Sequence, residues 1–265
     1  MRFVRVNGAV VHYGDEGPRD TPVLAFINAL GTDFRIWDAT TRILASEFRI
    51  VRYDKAGHGL TEAGPDRADM ADYSRDLAGL LDGLGVGRAT IVGLSIGGLV
   101  AQELHRQRPD LVEALVLADT GAKVGTDESW NARIADVERG GIEAIADSIL
   151  ERWFSADFRT RRTEELAGMR CMLTRTSKQG YIAACGALKR ADLRSHTTAI
   201  AVPTLCVVGQ DDGSTPVELV RETAGHIKGS RFEIIPGAGH LPNVEQPEIL
   251  AKLISDHVRI ARERR

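Results

Sequence analysis

Short apolar runs rich in valine and isoleucine recur along the chain at 23–27, 49–53, 89–92, 114–117, 204–208 and 232–235, each followed by turn residues. Continuous rather than alternating hydrophobicity predicts strands buried on both faces, as in a parallel sheet. Between several of them apolar residues fall at helical spacing. Residues 73–84 place Leu77, Leu80, Leu81 and Leu84 on one stripe, and 96–107 form a second such segment. Strand and helix in alternation predict a doubly wound α/β fold, a mostly parallel twisted sheet with helices on both faces. The chain opens differently. Residues 3–6 and 10–13 flank Asn7-Gly8, a two-residue hairpin signal, so the sheet is expected to begin with an antiparallel edge.

From 122 to 198 the strand pattern stops and the sequence turns charged and helical, with Gly140-Gly141 and Gly180 expected to break it into pieces. Strand signals resume at Pro203, and an amphipathic segment over 247–260 closes the chain. The expected organisation is a core in two parts, 1–121 and 199–265, interrupted by a helical cap over 122–198 that covers the strand ends. A chain of 265 residues is long enough for one such domain.

Composition then removes several function classes. A formal charge of -3 offers no global field to draw nucleic acid or anionic lipid, and the basic end at 259–265 reads as a solvated helix tail. No run of about 18 apolar residues occurs and the start lacks a secretory pattern, so no membrane association and a cytoplasmic location are expected. Cys171, Cys185 and Cys206 are odd in number with no Cys-x-x-Cys spacing, which fits neither a disulfide framework nor a zinc site. The histidines are scattered, and the glycines at 93–98 lack the Lys-Ser/Thr ending of a phosphate loop. Neither a metal nor another cofactor is expected, and the partner should be a small molecule.

The strongest chemical signal is Gly93-Leu94-Ser95-Ile96-Gly97-Gly98, directly after one strand and directly before a helix. In a nucleophile elbow the serine sits on a sharp turn, and the residues two before and two after must be small enough for strand and helix to approach. Gly93 and Gly97 meet that demand. The turn also leaves the Ile96 amide at a helix N-terminus, where it can bind developing negative charge. A serine alone is a weak nucleophile, so a base and an orienting acid are required, and this fold places both downstream, the acid first and the histidine after it. After strand 204–208 comes Gly209-Gln210-Asp211-Asp212-Gly213, with Asp212 as the orienting acid and Asp211 as its competitor one residue away. After strand 232–235 comes Gly237-Ala238-Gly239-His240, with His240 as general base. His12 and His58 follow no late strand and read as structural. A second oxyanion donor is expected from the loop Asn28-Ala29-Leu30-Gly31-Thr32-Asp33, at the amide of Leu30.

With these residues in view the chain resembles the 3-oxoadipate enol-lactone hydrolases, a family of the α/β-hydrolase fold. The resemblance is carried by the Asn28 to Asp33 loop with Trp37, by Tyr53-Asp54 with Gly57-His58-Gly59, by the serine elbow, and by Trp130, Arg133 and Arg152-Trp153-Phe154 in the insertion. One departure is Ala56, where the related loop usually carries arginine, so a structural charge near Asp54 is expected to be missing. The resemblance implies hydrolysis of 3-oxoadipate enol-lactone to 3-oxoadipate, with Trp130, Arg133 and Trp153 toward the substrate. Because that substrate carries a carboxylate, a cationic partner from the cap is expected, with Arg152, Arg175 and Lys178 as further candidates. The same scaffold also serves other esterases, carbon–carbon bond hydrolases, homoserine lactonases, haloperoxidase-like proteins and ligand receptors, and fold does not choose among them.

Overall fold

A computed structural model describes residues 1–64 and 68–263. Eight strands form one sheet: β1 (Arg2–Val6), β2 (Ala9–Glu16), β3 (Val23–Ile27), β4 (Arg49–Tyr53), β5 (Ala89–Leu94), β6 (Val112–Ala118), β7 (Thr204–Gly209) and β8 (Arg231–Ile235). Their spatial order is β1-β2-β4-β3-β5-β6-β7-β8. The first two strands pair antiparallel through Val6 and Ala9, and β2 runs antiparallel to β4; all remaining neighbours are parallel. Asn7 and Gly8 adopt φ of 50° and 91°, the left-handed pair that a two-residue hairpin of this twist requires.

Strands β4, β5, β6 and β7 are buried along their whole length, which is why they read as unbroken apolar runs. Helices Met70–Gly83, Ile96–Gln107, Val217–His226 and Pro247–Glu263 flank the sheet and bury the stripes that their periodicity marks. The last helix is described to Glu263, and Arg264 and Arg265 lie outside the described residues.

Between β6 and β7 the described structure is helical, from Asp127–Gly140 through Lys178–Arg190 to Arg194–Thr197. Gly141 breaks this stretch as expected, at φ 72°. Gly180 does not: it lies in the first turn of Lys178–Arg190. A Cβ there would stand 2.4 Å from the carbonyl oxygen of Gly57, so the glycine serves a close approach between the helix and the loop after β4. Among the described residues no helix is long and apolar enough to cross a membrane.

Candidate active site

The site lies at the C-terminal ends of β3, β5, β6, β7 and β8, where an open α/β sheet exposes its loops. Ser95 joins β5 to helix Ile96–Gln107 with φ 57° and ψ -121°, a strained conformation for a residue with a side chain. The turn closes only because its neighbours are bare. A Cβ on Gly93 would stand 2.3 Å from the oxygen of Gly97, and one on Gly97 would stand 2.5 Å from the oxygen of Ile27. The backbone is pinned by Ser95 N–H donating to Ala118 at 2.9 Å and by the Thr120 hydroxyl donating to the Ser95 carbonyl at 2.7 Å.

His240 is buried, and its backbone amide donates to the carbonyl of Trp153 at 2.8 Å, tying the loop after β8 to the helical insertion. Its Nδ1 lies 2.8 Å from Oδ2 of Asp212. The Asp212 carboxylate also accepts from the amides of Ser214 and Thr215 at 2.7 and 3.0 Å and from the Thr215 hydroxyl at 2.6 Å. Burial acts to raise the Asp212 carboxyl, but the His240 charge and these hydrogen bonds outweigh it and hold the group below the ordinary carboxylate range. Asp211 is exposed, and its amide is used in the turn by the carbonyl of Ala238. The two adjacent acids thus occupy different environments, and only Asp212 reaches His240.

Ser95, His240 and Leu30 line one cavity of about 150 Å³, together with Trp130, Arg133, Arg152, Trp153 and Tyr181 from the insertion. This is small beside the roughly 300–1,000 Å³ clefts that take drug-sized ligands. The amides of Leu30 and Ile96 donate to no protein acceptor among the described residues, leaving both available to a bound oxygen. The Trp130 indole N–H is committed to the Val124 carbonyl at 2.7 Å, and the Arg133 guanidinium lies over the Trp130 ring at 5.5 Å. Arg175 is exposed and Lys178 donates to the Glu138 carbonyl at 2.9 Å; neither lines the cavity. Of the insertion's Arg133, Arg152, Arg175 and Lys178, the first two are therefore those that the fold brings to the cavity with the serine.

Two buried groups were not anticipated. Asp119, at the end of β6, is fully buried with φ 46°, and its Oδ1 accepts from the Gly209 amide at 2.8 Å. Ligand-type atoms of Asp119, Asp212 and His240 lie within 4.8 Å of one another. Such a cluster has metal-binding character, but both Asp212 oxygens and the histidine Nδ1 are engaged in hydrogen bonds with each other and with the Ser214–Thr215 turn. Burial and the Asp212 charge push the Asp119 carboxyl well above its usual range, so it is an acid beside a carboxylate. The signal was available: Asp119 follows an apolar strand as directly as Asp211 and Asp212 do. The second group is Lys55, buried at the end of β4. A basic side chain does follow Asp54, but its Nζ donates to the carbonyls of Asn28 and Ala29 rather than to the Asp54 carboxylate.

His12 Nδ1 lies 2.7 Å from Oδ2 of Asp54, whose carboxylate further accepts from the amides of Phe34 and Leu60 at 2.8 and 2.9 Å. His58 is buried with Nδ1 3.1 Å from the Ala56 carbonyl, and burial lowers it well below an ordinary imidazole. Neither histidine lines the cavity.

Residues 24–253 match the alpha/beta hydrolase family. The chain belongs to that family. This hydrolase is 34% identical to 3-oxoadipate enol-lactonase 1 of Acinetobacter baylyi over 92% of its own length and 91% of the relative's. Among solved structures it is similar to the enol-lactonase of Burkholderia xenovorans, at 35% identity and a TM-score of 0.94, covering 97% of this chain and 100% of the other. A thermophilic esterase of Thermogutta terrifontis, solved with malate bound, is 31% identical with a TM-score of 0.91, covering 98% and 99%. These likenesses make the protein an ester or lactone hydrolase.

Proposed function

We propose that this hydrolase opens 3-oxoadipate enol-lactone to 3-oxoadipate in the β-ketoadipate route of aromatic breakdown, in the cytoplasm and without a cofactor. Ser95 is the nucleophile, His240 the general base, Asp212 the group that orients the base, and the amides of Leu30 and Ile96 the oxyanion donors. Residues 122–198 act as the cap that carries the substrate-facing Trp130, Arg133 and Trp153.

The observation that carries the substrate class is the pair Arg133 and Arg152. Both face the cavity that holds Ser95 and His240, and among the described residues neither forms an ion pair with an acidic side chain. Arg152 is lowered by burial and then by the like charge of Arg133, a repulsion that an anionic ligand would relieve. The enol-lactone carries a free carboxylate beside its ring, and a small cavity suits its size. The name of the Acinetobacter relative supports the same substrate.

In this reading Ser95 Oγ attacks the lactone carbonyl carbon while His240 Nε2 takes the hydroxyl proton. The carbonyl oxygen becomes an oxyanion between the two amides, each worth about 3–4 kcal/mol where such donors have been removed elsewhere. The ring C–O bond then breaks, and the enol oxygen takes the proton from His240 while staying tethered within the same acyl chain. Water, giving a proton to His240, attacks the acyl carbon; Ser95 departs with that proton, and the enol becomes the ketone of 3-oxoadipate.

A broader carboxylic-ester specificity is a second reading, favoured by the likeness to the Thermogutta esterase. Loss of enol-lactone absorbance, measured beside aryl esters and homoserine lactones for the wild type and Ser95→Ala, decides between them. The highest kcat/KM on enol-lactone is expected, with Ser95→Ala slower by several orders of magnitude. Preference for a simple ester or a homoserine lactone would overturn the substrate, and near-normal turnover by Ser95→Ala would overturn the nucleophile.

A further inference from the structure

Lys55 is a buried cation with no acidic partner on its ammonium among the described residues. It is 1% exposed, and its Nζ donates instead to two backbone carbonyls of the loop after β3, Asn28 at 3.3 Å and Ala29 at 2.6 Å. Burying an ammonium against neutral partners is costly, and an apolar side chain of the same length would fill the space more cheaply. A group held at that cost invites a functional explanation.

The shorter contact falls on one particular peptide. The carbonyl of Ala29 and the amide of Leu30 belong to the same planar trans unit, in which C=O and N–H point in opposite directions. Fixing the oxygen therefore fixes the hydrogen. A positive charge on the carbonyl side also draws electron density from the nitrogen, making the N–H a stronger donor. The Thr32 hydroxyl donates to the same oxygen at 2.9 Å, and Asn28 braces the far side of the turn through the Thr32 carbonyl. Leu30 itself lines the cavity with Ser95.

We propose that Lys55 is a positioning residue for ester hydrolysis: it clamps and polarises the Ala29–Leu30 peptide so that the Leu30 amide faces the oxygen developing on the substrate. This rests on the reading of Leu30 as an oxyanion donor and of Ser95 as nucleophile.

The clamp has a pH signature. Burial pushes Lys55 down to about 7, while Asp54 from its own loop and Asp33 from the loop after β3 pull the other way. The remaining titratable neighbour on its loop, His58, is itself held neutral by burial and then by the Lys55 charge. Below about 7 the clamp is charged; above it the polarisation weakens and turnover falls.

The test measures kcat and KM from about pH 6 to 9 for wild type, Lys55→Met and Lys55→Gln, together with affinity for a boronic acid whose tetrahedral serine adduct places an oxygen in the hole. Expected are an alkaline decline of kcat in the wild type and, in Lys55→Met, no such decline and a kcat lower by about tenfold near pH 6.5, with boronate affinity reduced in parallel and KM little changed. Lys55→Gln, which keeps a donor without charge, should fall between and serves if the methionine variant does not fold. Wild-type kcat and boronate affinity in both variants would overturn the inference, as would a flat wild-type profile or an alkaline decline that survives in the variants. Ser95→Ala run alongside separates the two readings: if it is inactive while Lys55→Met is unchanged, only the clamp fails; if it remains active, the nucleophile assignment fails.

Discussion

Replacing Asp119 by asparagine should make the hydrolase more stable at neutral pH while leaving turnover largely intact. The wild-type carboxyl is fully buried, accepts from the Gly209 amide at 2.8 Å through Oδ1, and has no conventional partner for Oδ2. It lies beside the Asp212 carboxylate, and burial with that charge holds it protonated. In the unfolded chain the same group ionises near about 3.9. The folded form therefore binds a proton that the unfolded form has lost. Stability from this group is present in full below about pH 4 and is lost as pH rises toward the folded value, at up to about 1.4 kcal/mol per unit. Asparagine is neutral in both states, with an oxygen to accept from Gly209 and an NH₂ to donate where the acid proton was. The stability difference between Asp119→Asn and wild type should thus shift in the variant's favour, by up to about 1.4 kcal/mol per pH unit, across the range above about pH 4 in which the unfolded carboxyl is ionised and the folded one still holds its proton. Urea unfolding of both proteins across that range measures it, and carboxylates common to both cancel in the difference. A difference that stays constant with pH would refute the assignment of a protonated Asp119, and so would a variant that folds normally but has lost its turnover.

Two further outcomes follow from the site. Asp212→Asn should reduce kcat by about 10³–10⁴-fold, because the amide cannot hold His240 in the tautomer that accepts the serine proton, whereas exposed Asp211→Asn should leave kcat within about twofold; steady-state kinetics on one ester compare them. Arg133→Met should raise KM for an anionic lactone by about tenfold or more while barely affecting a neutral aryl ester, since it removes charge from the cavity but not from the serine turn; equal effects on both substrates would remove Arg133 from carboxylate binding.

Much of this was legible along the chain. The parallel strands are buried on both faces, so each appears as an apolar run with turn residues behind it, and the Asn7-Gly8 hairpin announces itself because so few residues adopt its dihedrals. The serine elbow is equally local: Gly93 and Gly97 are dictated by contacts within one strand–turn–helix unit. What the local pattern does not contain is distance across the sheet. Asp211 and Asp212 are chemically identical neighbours, and only the register of the turn after β7 against the loop after β8 turns one toward His240 and the other to water. Gly180 looks like a helix breaker until the approach of Gly57 from a segment more than a hundred residues away explains it. Asp119 and Lys55 owe their chemistry to burial, which depends on what packs around them from other elements, and desolvation leaves no mark in a sequence. Among the cations of the helical insertion, Arg133 and Arg152 differ from Arg175 and Lys178 only in which face the tertiary packing turns toward the serine.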